Sequence, residues 1–416
     1  MFIFLYVIFF SIWALQNYKQ YGLNISVLII LIYLVGAING CCIYLFYPLE
    51  IKFPERITFN SVSAHILLLW LFMYPLVRYG NSLKVDNLII KEYRLRIYSW
   101  FVIGPSLLCI LASSADIFKV FAYGDLSAAR EAYVTGDISS QYVKNFGPVG
   151  YIMCLGPSIS FLSLFLFCYY KFYLKKNGLL VNLLFIGSFG IVINNLAIAG
   201  REGFIRWIFY SIACFVFFRK YIIFKRFKKL FIGIGIFAAI MLIIFARITL
   251  DRFEDSTYGP LYSILSYSGQ QFYYFSYGFD RFANEGYGAL GKLFPLITNE
   301  RAEAFNINSF VSADFYLNTF STFVGSFIKE GGFENTLFLA IGAFIFLLLT
   351  FWKKYKFVKY SLPILIGYLF YYEIIMMGFF YFLHYLRFTQ LTILFYIVLA
   401  FFIGRTTLRS SKNTPI

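Results

Sequence analysis

Two apolar stretches, Ile25 to Tyr47 and Leu179 to Ala199, each exceed the roughly 18 residues that a helix needs to cross a bilayer. Neither carries enough polar residues to turn a wet face outward as a surface helix does. Comparable runs recur along the chain and exclude a soluble domain. Of 416 residues, 60% are hydrophobic and only 13% are charged, against about 25% charged in ordinary globular proteins. The spans fall near residues 1–15, 25–47, 61–78, 97–115, 147–170, 179–199, 203–218, 230–246, 335–352, 360–383 and 388–404. This pattern predicts an all-α, polytopic integral membrane protein with about 11 transmembrane helices (10–12) and a long external loop containing helical segments. Met1 to Leu15 lacks a basic flank and a small-residue cleavage site, so it counts as a span.

The formal net charge of +16 invites a nucleic-acid partner, but the cations sit in short connections between spans rather than on one face. They act as a topology signal, and no nucleic-acid partner is expected. One alternate set of connections holds Lys19, the Arg78–Arg96 group, Lys171, Lys175, Lys176, six cations between Arg219 and Lys229, the Lys353–Lys359 group and Arg405 to Lys412. The short connections of the other set hold only Lys52, Arg56, Arg201 and Arg387. Excess positive charge stays cytoplasmic, so the second set faces outward. Two long outward loops follow, 116–146 and 247–334. Loops of that length are functional more often than connective, so chemistry is sought there.

The six cysteines (Cys41, Cys42, Cys109, Cys154, Cys168 and Cys214) lie in or beside apolar segments, and no Cys or His spacing matches a zinc pattern. Neither disulfides nor a metal are expected. An external active site has no ATP or nucleotide sugar, so its substrate must carry its own leaving group; a lipid-linked pyrophosphate fits. Guanidinium groups suit such a head, because they are planar, permanently charged and bidentate.

Arg201 stands in Ala199-Gly200-Arg201-Glu202-Gly203, a short turn whose glycines would admit close approach of a ligand. The alternative is an arginine that snorkels to the headgroups and pairs with Glu202. Arg130 lies on a predicted short helix of the first loop, and Arg247, Asp251 and Arg252 directly follow the eighth span. Arg281, within the large loop, is a further candidate cation. In the tenth span Glu373 and His384 are eleven residues apart, which puts them on one side of a continuous helix with Arg387 nearby. An ionisable residue as deep as Glu373 is a functional candidate, although Tyr371 and Tyr372 beside it would also suit a structural network. Between Thr257 and Tyr287 lie eleven Tyr and Phe residues, a composition that suits either sugar stacking or a membrane-interface helix.

Three features resemble the Wzy family of O-antigen and capsule repeat-unit polymerases: the Arg130 stretch, the Ala199-Gly200-Arg201 turn, and Asn318-Thr319-Phe320-Ser321 followed by Lys329-Glu330-Gly331-Gly332. The resemblance spans roughly Asp116 to Gly332. It implies polymerisation of undecaprenyl-pyrophosphate-linked oligosaccharide at the outer face of a bacterial inner (plasma) membrane, without cofactor or metal. The terminal hydroxyl of one lipid-linked unit attacks the anomeric carbon of the chain on a second lipid, and undecaprenyl pyrophosphate departs. In that scheme Arg130, Arg201, Arg247, Arg252, Arg281, Asn318 and Arg387 bind substrate, and His384, Glu202 or Glu373 acts in catalysis, with Asp251 and Asp280 as further candidate bases. A chain-length regulator is a possible partner. Two other readings stay open: an O-antigen ligase, whose large loop would carry a histidine, and a lipid-linked oligosaccharide flippase, whose charges would be spread through several spans.

Overall fold

A computed structural model of the chain describes residues 2–48, 51, 55, 57–87, 91–122, 147–197, 200, 202–223, 259–284, 293–294, 296, 322–351, 362–380, 382 and 387–405, with isolated residues between 227 and 243. All regular structure among them is helical, with no strand. The helices are α1 (Phe4–Tyr21), α2 (Ile25–Phe46), α3 (Phe59–Ser82), α4 (Glu92–Ala122), α5 (Pro148–Ser158), α6 (Ser160–Cys168), α7 (Leu179–Gly187), α8 (Gly190–Leu196), α9 (Glu202–Phe218), α10 (Gly259–Phe282), α11 (Thr322–Phe351), α12 (Leu362–Met377) and α13 (Arg387–Arg405).

Five of these stretches are long and apolar enough to cross a membrane: Ile25–Phe46, Phe59–Ser82, Glu92–Ser114, Leu179–Leu196 and Thr322–Thr350. A sixth arises if the pair 149–158 and 160–173, bent by 60°, counts as one span. Large apolar side chains stand exposed along their outer faces, among them Phe338, Phe346 and Leu349 of α11 at 68–72%. In water such patches would drive aggregation; in lipid they are already solvated. The chain is a multi-pass membrane protein.

It divides into two compact units. The first comprises 1–84, 255–359 and 368–391. Its core is aromatic: Tyr6, Phe10, Tyr33, Phe272 and Phe379 are buried together. Here α10, which lies inside the large loop 247–334, packs along α2. The Gly36-Ala37-Ile38-Asn39-Gly40 segment makes that possible: a Cβ at Gly40 would fall 2.9 Å from the carbonyl oxygen of Gly269. This backbone-to-backbone approach is the small-residue packing of membrane helices, and Asn39 adds a 2.6 Å hydrogen bond to Ser268. The aromatics Phe272, Tyr273, Phe275, Tyr277 and Phe282 of α10 are therefore buried in the protein, not displayed to sugars or lipid as the sequence alone suggested.

The second unit comprises 85–254, 360–367 and 392–416. Its helices are broken and stitched by hydroxyl groups. Ser163 donates to the carbonyl of Leu184 (2.8 Å), Trp207 donates to Ser188 (3.1 Å), and the Ile191 amide donates to Ser160 (3.0 Å). The helix α4 runs through Asp116 to Ala122, the first residues of the long segment 116–146. At the opposite end of α4, Glu92 pairs with Lys176. Nearby, burial and a hydrogen bond with Asp86 push the Tyr221 phenol above its ordinary value.

Candidate functional site

The hairpin between α8 and α9 is tight. The Gly200 amide donates to the Asn195 carbonyl at 2.7 Å, and Asn195 also reaches back to Ile191. At Gly203 an added Cβ would collide with the carbonyl oxygen of Ile191. That glycine is thus consumed by helix packing, which corrects its reading as an opening for ligand. Glu202, half-exposed in the first turn of α9, pairs with Arg206 one turn on and complements the helix dipole. The structure brings Glu202 and Arg206 together at the end of two apolar helices, with Arg201 the residue before them in the chain.

Glu373 is 3% exposed in the middle of α12. Its neighbours Tyr371 and Tyr372 donate to the carbonyls of Phe72 (2.8 Å) and Ile25 (3.2 Å), so both tyrosines tie α12 to α3 and α2. Here α12 ends at Met377, followed by a turn at Gly378 to Phe380. The common-face spacing that linked Glu373 to His384 and Arg387 does not survive this break, because it requires one continuous helix; Arg387 instead opens α13. The Gly378 amide still donates to the Ile374 carbonyl, and beyond it the chain turns the carbonyls of Gly378 and Phe380 toward α11.

Those carbonyls meet the start of α11. The Thr322 amide donates to Phe380 (3.1 Å) and the Phe323 amide to Gly378 (2.7 Å). Helix starts leave amides without intrahelical partners, and helix ends leave carbonyls; each end here satisfies the other. Further along α11, Lys329 and Glu330 are buried at 6% and 8% exposure with 3.9 Å between their charged atoms. Two residues later Gly332 adopts φ 72°, a left-handed conformation that kinks α11.

Arg281 is exposed in the last turn of α10, its guanidinium 5.4 Å from the Phe282 ring centroid, beside exposed Asp280. Arg130, Arg201, Arg247, Asp251, Arg252, Asn318 and His384 lie outside the described residues. One polar centre escaped sequence reasoning. His65 of α3 is completely buried, with both ring nitrogens hydrogen-bonded, to Tyr6 and to Thr322, each at 2.9 Å. Only its rank as an ionisable group inside an apolar run could have drawn attention to it. Among the described residues no group of His, Cys, Asp and Glu could hold a metal ion. Compared with known proteins, the chain matches no family model, no curated protein and no solved structure.

Proposed function

We propose that the chain is a Wzy-type polymerase, which joins undecaprenyl-pyrophosphate-linked oligosaccharide repeat units into O-antigen or capsular polysaccharide. In this reading it crosses the inner (plasma) membrane of a bacterium about eleven times and works at the outer face. The observation that carries the reading is the Gly200 turn. There the Gly200 amide closes onto the Asn195 carbonyl, Glu202 opens α9 and pairs with Arg206, and Arg201 stands between Gly200 and Glu202 in the sequence. A permanent cation at that point of the sequence, between two apolar helices, suits a pyrophosphate at the headgroup level.

Chemistry follows from that placement. Arg201, with Arg130, Arg247, Arg252, Arg281 and Arg387 as further cations, neutralises the charge that develops on the departing pyrophosphate. A carboxylate or His384 takes the proton of the attacking hydroxyl as the new glycosidic bond forms. The Arg201→Lys variant tests this reading, because it keeps the charge and loses the bidentate fork. At unchanged protein level it should replace long surface glycans with single repeat units. Normal chain length would reduce Arg201 to a headgroup anchor.

A further inference from the structure

His65 joins three parts of the first unit that are far apart in sequence. Its Nδ1 pairs with the Tyr6 hydroxyl of α1 and its Nε2 with the Thr322 hydroxyl at the start of α11, both at 2.9 Å. Its ring also stacks on Phe275 of α10, with centroids 3.7 Å apart and planes within 4°. Tyr6 meets it edge-on at 5.4 Å. A neutral imidazole offers one donor and one acceptor, and two hydroxyls satisfy both with no water. Both α10 and the start of α11 belong to the large loop 247–334, so one side chain of α3 contacts two described parts of that loop.

The residue it holds is itself unusual. Thr322 has φ 62°, a left-handed conformation that β-branched side chains rarely adopt, and it is fully buried. Such a conformation persists only where surroundings over-determine it. Three bonds do so here: the hydroxyl to His65, the Thr322 amide to Phe380, and the next amide to Gly378.

We propose that His65 is a positioning residue, holding Thr322 and Phe275 so that the large loop returns to the bundle in the geometry that glycosyl transfer needs. The proposal rests on the polymerase reading. Arg281 lies six residues after Phe275 on the same helix, and Asn318 four residues before Thr322. Arg281, a proposed substrate contact, is thereby carried on a helix that His65 contacts.

Two substitutions separate the ends of the ring. A glutamine amide reaches the position of Nε2, whereas an asparagine amide reaches that of Nδ1. His65→Gln should keep wild-type amide exchange at residues 322–328 in the purified, detergent-solubilised chain, and keep long glycans in cells. His65→Asn and His65→Ala should raise that exchange about tenfold or more, as for a lost buried hydrogen bond, and shorten the glycans. Should His65→Ala fail to insert, Thr322→Val removes the same bond at nearly constant volume and should reproduce both effects. Equal exchange in the Gln and Asn variants overturns the fastening. Raised exchange with glycans of normal length overturns the role in transfer. A wild-type chain that polymerises nothing defeats the functional reading, and the Gln-against-Asn exchange then decides the fastening alone.

Discussion

At the scale of single residues, the account turns on ionisable groups placed in apolar surroundings. A carboxylate such as Glu373, 3% exposed in the apolar helix α12, is a functional candidate because burying a charge is costly. Replacement by glutamine changes shape little and removes only the charge and the proton site. Glu373→Gln should therefore shorten or abolish the polymer at unchanged protein level, read on a glycan ladder; a wild-type ladder would leave Glu373 a structural residue. This residue was legible in the sequence because a charge in an apolar run is conspicuous. His65 was not, since its hydrogen-bond partners lie 59 and 257 positions away, and no local pattern encodes contacts of that range. The flanking tyrosines divided differently: a structural network was one of the two readings, and their bonds to the Phe72 and Ile25 carbonyls agree with it.

At the scale of helices, glycines decide where the chain packs and where it breaks. The α2–α10 contact depends on Gly40 facing Gly269, where an added Cβ would strike the backbone of Asn39 and Gly40. Overpacking of this kind costs about 1–3 kcal/mol. Gly269→Ala should lower the thermal midpoint of the solubilised protein, whereas Gly278→Ala, whose Cβ would meet nothing within 4 Å, should leave it within error. Equal midpoints would mean that α10 can shift away from α2 without penalty. Hydropathy located most helices, because apolar length is a composition property. It could not locate the end of α12, since Gly378 and Phe380 sit in sequence as apolar as the helix before them and the break is set by hydrogen bonds to α11. Nor could it reveal α10, where the buried aromatics include Tyr273 and Tyr277 and are interspersed with serines and glutamines.

At the scale of the molecule, membrane class followed from composition alone. The number of crossings did not, because helices interrupted at Ile159, Ser188 and Gly332 divide apolar length in ways that a hydropathy window merges or splits. The proposed orientation rests on the alternation of Lys and Arg. Cysteines placed at Ser140 and Ser256 should react with an impermeant reagent in intact cells; reaction only after permeabilisation would invert the topology. Orientation and chemistry meet in one measurement, made on the purified chain in liposomes with an undecaprenyl-pyrophosphate-linked repeat unit as the sole substrate. A polymerase yields a ladder whose rungs differ by one repeat unit, with one undecaprenyl pyrophosphate released per bond and no nucleotide sugar added. Translocation of the intact lipid-linked unit without bond formation, or transfer only when lipid A core is supplied, would contradict the account.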